Sequence, residues 1–467
     1  MPFDEARDRL AGVTVAPSSS PAAPVETRAL SAELLRLAYP LLLSNVGGVL
    51  LGATDTFFMG SIGTSAVAAV GLGSLLFLTM YILPKGAVNA VIVFVSQAFG
   101  AKNHAQVQRW LVVFLWAALL LSPIALFYAP LTNLFLTWSG AARDVQQQAA
   151  AYVHVRLFEI PFGLLSTVLL GYLVGKGDTR TPMLVTLGVV LANVVFNWVF
   201  VFGNLGAPRL EVVGSAVGSA LSVVAGAIAA GVVVFVRHAR GVRFTVPKKH
   251  ELLEVLRVGG PLGVMDCVEV SAFTAFLAVT GRISTNALAA SQIGNQISAL
   301  AFMPGFALGT ATASLVGRFI GARLLPVATR VGYLGMWLCM AWMGIVGVLF
   351  WVLSVPLATL FTRDAAVIEL TSSLLKLMAF YQLFDAVNIV FRSALAGAGD
   401  TRFTALATAI LAWTVMVGGA VLLVSYFKLG LLEAWLAPFV YLTMLAGLYL
   451  WRWRSGRWHT AMQPSTA

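Results

Sequence analysis

The sequence predicts an all-α integral membrane protein whose twelve transmembrane helices form two parallel six-helix repeats. Three observations carry that prediction. The 467 residues are 59% hydrophobic and only 10% charged, where soluble domains run near 25% charged. The apolar residues gather in twelve runs long enough for the roughly 20 residues that a bilayer crossing needs. The two halves of the chain also share short motifs at a constant offset.

The runs lie at about 36–59, 67–98, 107–130, 151–175, 182–202, 213–237, 254–280, 287–319, 330–360, 370–397, 403–427 and 431–451. The second, eighth and ninth exceed a simple crossing and are expected to tilt, kink or protrude. Residues 1–30 are rich in Ala, Pro and Ser and lack the apolar core of a signal peptide. They read as a disordered cytoplasmic tail. The expected organisation is a first lobe at 31–237, a basic linker at 238–253, a second lobe at 254–455 and a cytoplasmic tail at 456–467.

The net charge of +11 is a topology signal rather than a nucleic-acid footprint, because the basic residues sit in short loops between apolar runs. Loops 2–3, 4–5, 6–7, 8–9 and 10–11, with the C-terminus, carry seventeen of the thirty Lys and Arg. The opposite loops carry five, Arg143, Arg209, Arg282, Arg363 and Lys428. The positive-inside rule then places both termini in the cytoplasm. Cys267 and Cys339 both fall inside spans, so no disulfide framework is expected.

The repeat is explicit. LRLAYP at 35–40 returns as LRVGGP at 256–261, TSAVAA at 64–69 as TNALAA at 285–290, and Gly100-Ala101 as Gly321-Ala322, all offset by 221. GDTR at 177–180 returns at 399–402, offset by 222. Six spans per half is an even number, so both halves enter from the same side. They are parallel repeats about an axis along the membrane normal, with a cavity expected between them.

Five acids lie inside the spans: Asp55, Glu159, Asp266, Glu269 and Asp385. A carboxylate in hydrocarbon costs several kcal/mol, roughly 2.5–3.5 even on the lenient insertion scale, so each needs a partner or a use. Asp266 and Glu269 share a face of the seventh span at a spacing of three. Glu269 lies twelve residues past Arg257 and Asp385 twelve before Gly397, so both sit roughly 18 Å into the membrane from the same surface. Tyr381, Asp385, Asn388 and Arg392 form one polar stripe on the tenth span.

Thr54-Asp55-Thr56, the two GDTR loops, Pro261 to Glu269 and the Tyr381–Val387 stretch together resemble the multidrug and toxic compound extrusion (MATE) family. The resemblance spans nearly the whole chain beyond the tail. It implies two six-helix lobes, a cation-driven antiporter and amphipathic cationic drugs as substrates. Glu269, Asp385 and Tyr381 occupy the coupling positions of the NorM-like branch. The DinF-like branch pairs the first-span aspartate with a fifth-span aspartate four residues after an asparagine. Here Asn193 is followed by Asn197, which argues against a complete DinF-like site.

The resemblance makes Glu269, Asp385, Tyr381 and Asp266 the expected cation-coupling residues. Glu269, Asp385 and Tyr381 become expected ligands of Na⁺, the preferred coupling ion, with H⁺ able to use the same groups. Asp55, Asn193 and Asn197 are expected around a substrate or proton site in the first lobe. Gln292, Phe273 and Met303 suit the wall of a greasy drug cavity. The plain alternatives are a buried structural ion pair, an interfacial acid at Asp55, a local Arg156–Glu159 pair, and amides or aromatics that only pack. Lys85, deep in the second span, matches nothing in the family pattern and is expected to pair with an intramembrane acid.

No metal-spaced histidines and no Walker-type GxxxxGK[ST] motif occur, so neither a cofactor nor direct ATP coupling is expected. An integral-membrane enzyme would need acids or histidines clustered at the membrane surface, which the sequence lacks. A lipid-linked precursor flippase would need a cationic cavity, whereas acids dominate here. The expectation is a monomeric, non-enzymatic exporter in the inner membrane, with the lipid bilayer and small cationic drugs as its partners and no nucleic acid.

Overall fold

The computed structural model describes residues 27–127 and 129–460, and among these the chain is helical with no strand. The expected N-terminal tail to residue 26, and residues 461–467 of the C-terminal one, lie outside them. The first half comprises α1 (Thr27–Gly60), α2 (Thr64–Gly100), α3 (His104–Leu126), α4 (Arg143–Leu157 continued by Ile160–Gly175), α5 (Arg180–Phe202) and α6 (Glu211–His238). The second comprises α7 (Lys249–Gly281), α8 (Thr285–Gly321), α9 (Leu325–Val352), α10 (Ala365–Gly397), α11 (Thr401–Tyr426) and α12 (Leu431–Arg454). Among the described residues eleven helices are long and apolar enough to cross a membrane, and twelve when the bent pair in α4 counts as one.

Two segments depart from the sequence expectation. The fourth starts at Arg143 rather than 151 and bends by 50° between Leu157 and Ile160. Pro161, in the first turn after the bend, has no N–H to continue the ladder. The first helix begins at Thr27, ahead of the expected tail boundary, and already buries Leu30. Of the long segments, α2 breaks at Ala90, while α8 runs through Pro304 for 37 residues.

The GDTR loops are helix–helix corners built twice. Gly177 (φ 76°) and Gly399 (φ 83°) take left-handed backbone that glycine tolerates without strain. After each, an aspartate N–H reaches back into the preceding helix, Asp178 to the Leu173 carbonyl and Asp400 to that of Leu395, both at 2.9 Å. Asp178 then caps α5 through the Thr181 N–H at 3.0 Å. Asp400 instead accepts from Arg452 Nε at 2.6 Å, tying α11 to α12.

The lobes meet at the end that carries these loops, and the repeat shows in the contact itself. A Cβ on Gly100 would overlap the Arg318 carbonyl, and one on Gly321 would overlap the carbonyl of Gln97, the residue 221 positions before Arg318. The side chains repeat the pattern: Gln97 donates to the Gly397 carbonyl at 2.9 Å and Arg318 to that of Gly175 at 3.4 Å. Further along, α2 lies against α7, with Gly86, Gly259 and Gly263 letting the two backbones touch. Small residues at such a crossing are what allow membrane helices to approach this closely.

The linker, expected as a solvated connector, is strapped down at its end. Arg109 on α3 donates to both Glu251 oxygens, at 2.7 and 2.5 Å, and to the Val246 carbonyl at 3.3 Å. The C-terminal segment likewise folds back. Trp458 is buried and stacks on Trp453 with ring centroids 4.3 Å apart, because an indole gains more from packing than from solvent.

Candidate functional site

Two polar centres sit deep in the helices. The first is a cavity of about 360 Å³ between α2, α7, α8 and α10. Asp266, Glu269, Asp385, Asn388 and Arg392 line it, with Asn89, Thr310 and Ser393 adding polar groups and Leu262, Met265 and Phe306 apolar ones. The three acids that the sequence places inside spans of the second lobe thus line one cavity. Their pairing differs from the expected Glu269–Asp385 couple. Arg392 donates to Glu269 Oε2 at 2.5 Å and to Asp266 Oδ1 at 2.9 Å. One guanidinium fork spans two carboxylates of α7, a geometry that lysine cannot reproduce.

Asp385 keeps no such cation. It accepts from Asn388 Nδ2 at 3.2 Å, and Asn388 Oδ1 is buried without a partner. A carboxylate beside an orphaned acceptor is a natural place for a proton or small cation, which would satisfy both. Among the described residues no three His, Cys, Asp or Glu side chains converge closely enough to hold a metal ion. Glu269, one of the three expected Na⁺ ligands, instead has the Arg392 guanidinium as its counter-ion.

Other expected residues lie elsewhere. Tyr381 is buried and absent from the cavity wall. Phe273 packs against Phe276 and Trp435, with centroids 6.0 and 6.4 Å away. Gln292 is exposed and Met303 half-buried, and neither lines this cavity. Helices that are apolar on every side give no period from which to read the inward face.

The second centre lies inside the first lobe around Asp55, which is 2% exposed. Asp55 accepts from Asn197 Nδ2 at 2.8 Å, Asn193 Nδ2 at 3.3 Å, Ser219 Oγ at 2.7 Å and the Tyr152 hydroxyl at 3.3 Å. Three of the expected residues thus come together, joined by Tyr152 and Ser219, which carried no sequence signal. Gly218 makes room, since a Cβ there would press on Asn197 Oδ1 at 2.5 Å. That oxygen has no hydrogen-bond partner. In both centres, then, the carboxylate without an ion pair sits beside an asparagine carbonyl that is also unpaired.

Asp55 does not stand alone electrically. Arg156 holds Glu159 through two bonds, 3.0 and 2.6 Å, and donates to the Tyr152 hydroxyl at 2.8 Å. The local Arg156–Glu159 pair is present as read from sequence, and Tyr152 links it to Asp55. Arg156 also covers the Phe77 ring at 4.2 Å, a contact strengthened by its removal from water.

Comparison with known proteins agrees with this architecture. The MatE family pattern matches residues 40–199 and again 261–421, one match in each lobe. The probable multidrug resistance protein NorM of Thermotoga maritima is 31% identical over 432 residues, covering 91% of this chain and 92% of that protein. The multidrug resistance protein PmpM of Pseudomonas aeruginosa is 28% identical over 411 residues, 85% of each chain. Among solved structures, an outward-facing conformation of a MATE-family multidrug resistance transporter superposes with a TM-score of 0.85 at 21% identity, over 93% of this chain and 97% of that one. With the pattern matched in both lobes and a relative this similar over nearly the full length, the chain belongs to the MatE family.

Proposed function

We propose that this protein is a cation-coupled multidrug antiporter that exports amphipathic organic cations across the bacterial inner membrane by alternating access of its two lobes. One observation carries the reading. The cavity between the lobes gathers Asp266, Glu269 and Asp385 around Arg392 and mixes them with apolar wall. Such a site suits a greasy monocation. The relatives named for multidrug resistance support transport rather than catalysis.

The basic loops support one orientation. With the GDTR end inside, both termini are cytoplasmic and the lobes are closed toward the cytoplasm through Gly100, Gly321, Gln97 and Arg318. The first lobe would then run to 237 and the second from 254 to 455, joined by the 238–253 linker and working as a monomer. An external cation reaches the cavity, neutralises Asp385 and weakens the hold on the drug, which leaves outward. The lobes pivot, the inner contacts part, and a cytoplasmic drug replaces the cation. A proton is the favoured coupling ion. It needs one carboxylate oxygen, whereas Na⁺ needs several converging oxygens, and the hydrogen bond that Asp385 accepts comes from the Asn388 amide.

Cells expressing the protein should resist ethidium and quaternary ammonium compounds and gain little protection against an anionic drug. Equal resistance to anions, or resistance to none, would overturn the reading and favour a flippase for anionic lipid precursors.

A further inference from the structure

We propose that Lys85 is a specificity-determining residue that recognises an anionic group on the substrate, giving zwitterionic amphiphiles two anchors in the cleft. The inference rests on the exporter reading above and names a substrate class within it.

Lys85 lies on α2, which faces the second lobe through Gly86. A Cβ on Gly86 would meet the Gly263 backbone at 2.6 Å and Asp266 Oδ2 at 3.0 Å. The residues one turn either side fix the direction of Lys85. Asn89 lines the charged cavity, and the Tyr81 ring lies 5.6 Å from the ammonium. Tyr81 in turn stacks on Phe77 at 5.6 Å. Positions 77, 81, 85 and 89 therefore form one stripe along α2. A lysine on a lipid-facing stripe at this depth would be costly. Lys85 is exposed beside the Gly86 contact with α7, where the floor of a cleft between the lobes would place it.

No hydrogen bond or ion pair holds the Lys85 ammonium among the described residues. Asp266 is the acid whose charge reaches it, but Asp266 and Glu269 are already bridged by Arg392. Arg392, the other deep cation here, is thereby committed, while Lys85 keeps its donors. A bare monocation approaching the three acids passes this positive group without using it. A molecule carrying both a delocalised cation and a carboxylate places its cation toward Asp385 and its carboxylate on Lys85. The aromatic surface of Phe77 and Tyr81 supplies an apolar wall beside it.

Rhodamine 110, with a free carboxylate, and its methyl ester rhodamine 123 differ in only this group. With purified protein in liposomes, the wild type should transport both, and the acid should compete against ethidium at least as well as the ester. Lys85→Met and Lys85→Gln should lose roughly tenfold or more of the apparent affinity for rhodamine 110, the worth of one charge-assisted contact. Rhodamine 123 should stay within about twofold by the same reckoning, and Lys85→Arg should keep both. Equal losses for acid and ester would make Lys85 structural and overturn the proposal. So would a wild type that prefers the ester tenfold or more, a result that needs no variant. Failure of the wild type to move either dye or ethidium would instead contradict the exporter reading itself.

Discussion

Arg392 on α10 and Glu269 on α7 form an ion pair at 2.5 Å, and the same guanidinium holds Asp266 one turn away at 2.9 Å. The second lobe thus carries its own cation, and of the three acids on the cavity Asp385 is the one that Arg392 does not hold. Replacing Arg392 with Met would strand two acids in the cavity wall. The expected destabilisation is about 2 kcal/mol, below the 3–5 of a fully buried broken pair because these side chains keep a quarter to a third of their surface. Thermal unfolding in detergent measures it, and adding Glu269→Gln to Arg392→Met should recover part of the loss.

The contact between repeats makes a second prediction. Gly321→Val would push a side chain into the Gln97 carbonyl of the other lobe. The closed end should open and efflux should fall severely. Spin labels at the exposed, repeat-related positions of Lys102 and Arg323 read the change as a longer distance. An unchanged distance with full transport would contradict the assignment of this contact as the inner closure.

Topology gives a third. Reporters fused after Lys249 and after Arg457 should report cytoplasm, and one after Arg143 the exterior. Lys249 and Arg143 on the same side would contradict the even-numbered repeat.

Much of this architecture is legible in the sequence because it is written twice. The Gly100 and Gly321 pair and the two GDTR loops mark positions where a Cβ would overlap the facing backbone or strain the left-handed turn, so their recurrence reveals the repeat. The acids are legible because a charge in an apolar run needs a reason. The partner each acid takes is less so. Arg392 was on the same stripe as Asp385, yet its reach to α7 depends on how α7 and α10 pack. Tyr381, Phe273, Gln292 and Met303 fail to meet the cavity for the same cause, since in a span that is apolar all round nothing local states which side faces inward. Tyr152 and Ser219 join Asp55 through three separate helices, a convergence that no single stretch encodes.

The first-lobe centre makes a fourth prediction. Tyr152→Phe removes the hydroxyl that connects Asp55 to Arg156 while keeping the ring beneath the guanidinium. The protein should remain folded, because Arg156 retains its two bonds to Glu159, and lose about 1 kcal/mol with the hydroxyl contacts. A melting-temperature drop of many degrees would show instead that the hydroxyl anchors the lobe.

Coupling through Asp385 is tested most directly by ethidium efflux from proteoliposomes under gradients imposed one at a time. An inward H⁺ gradient without Na⁺ should drive the wild type. Asp385→Asn, which changes the volume little and leaves Arg392 with its two acids, should reach the membrane normally and lose gradient-driven efflux, while its ethidium affinity without a gradient falls much less. Full gradient-driven activity in Asp385→Asn would contradict the account and move coupling to Asp55, whereas a wild type driven by Na⁺ alone would contradict the choice of ion.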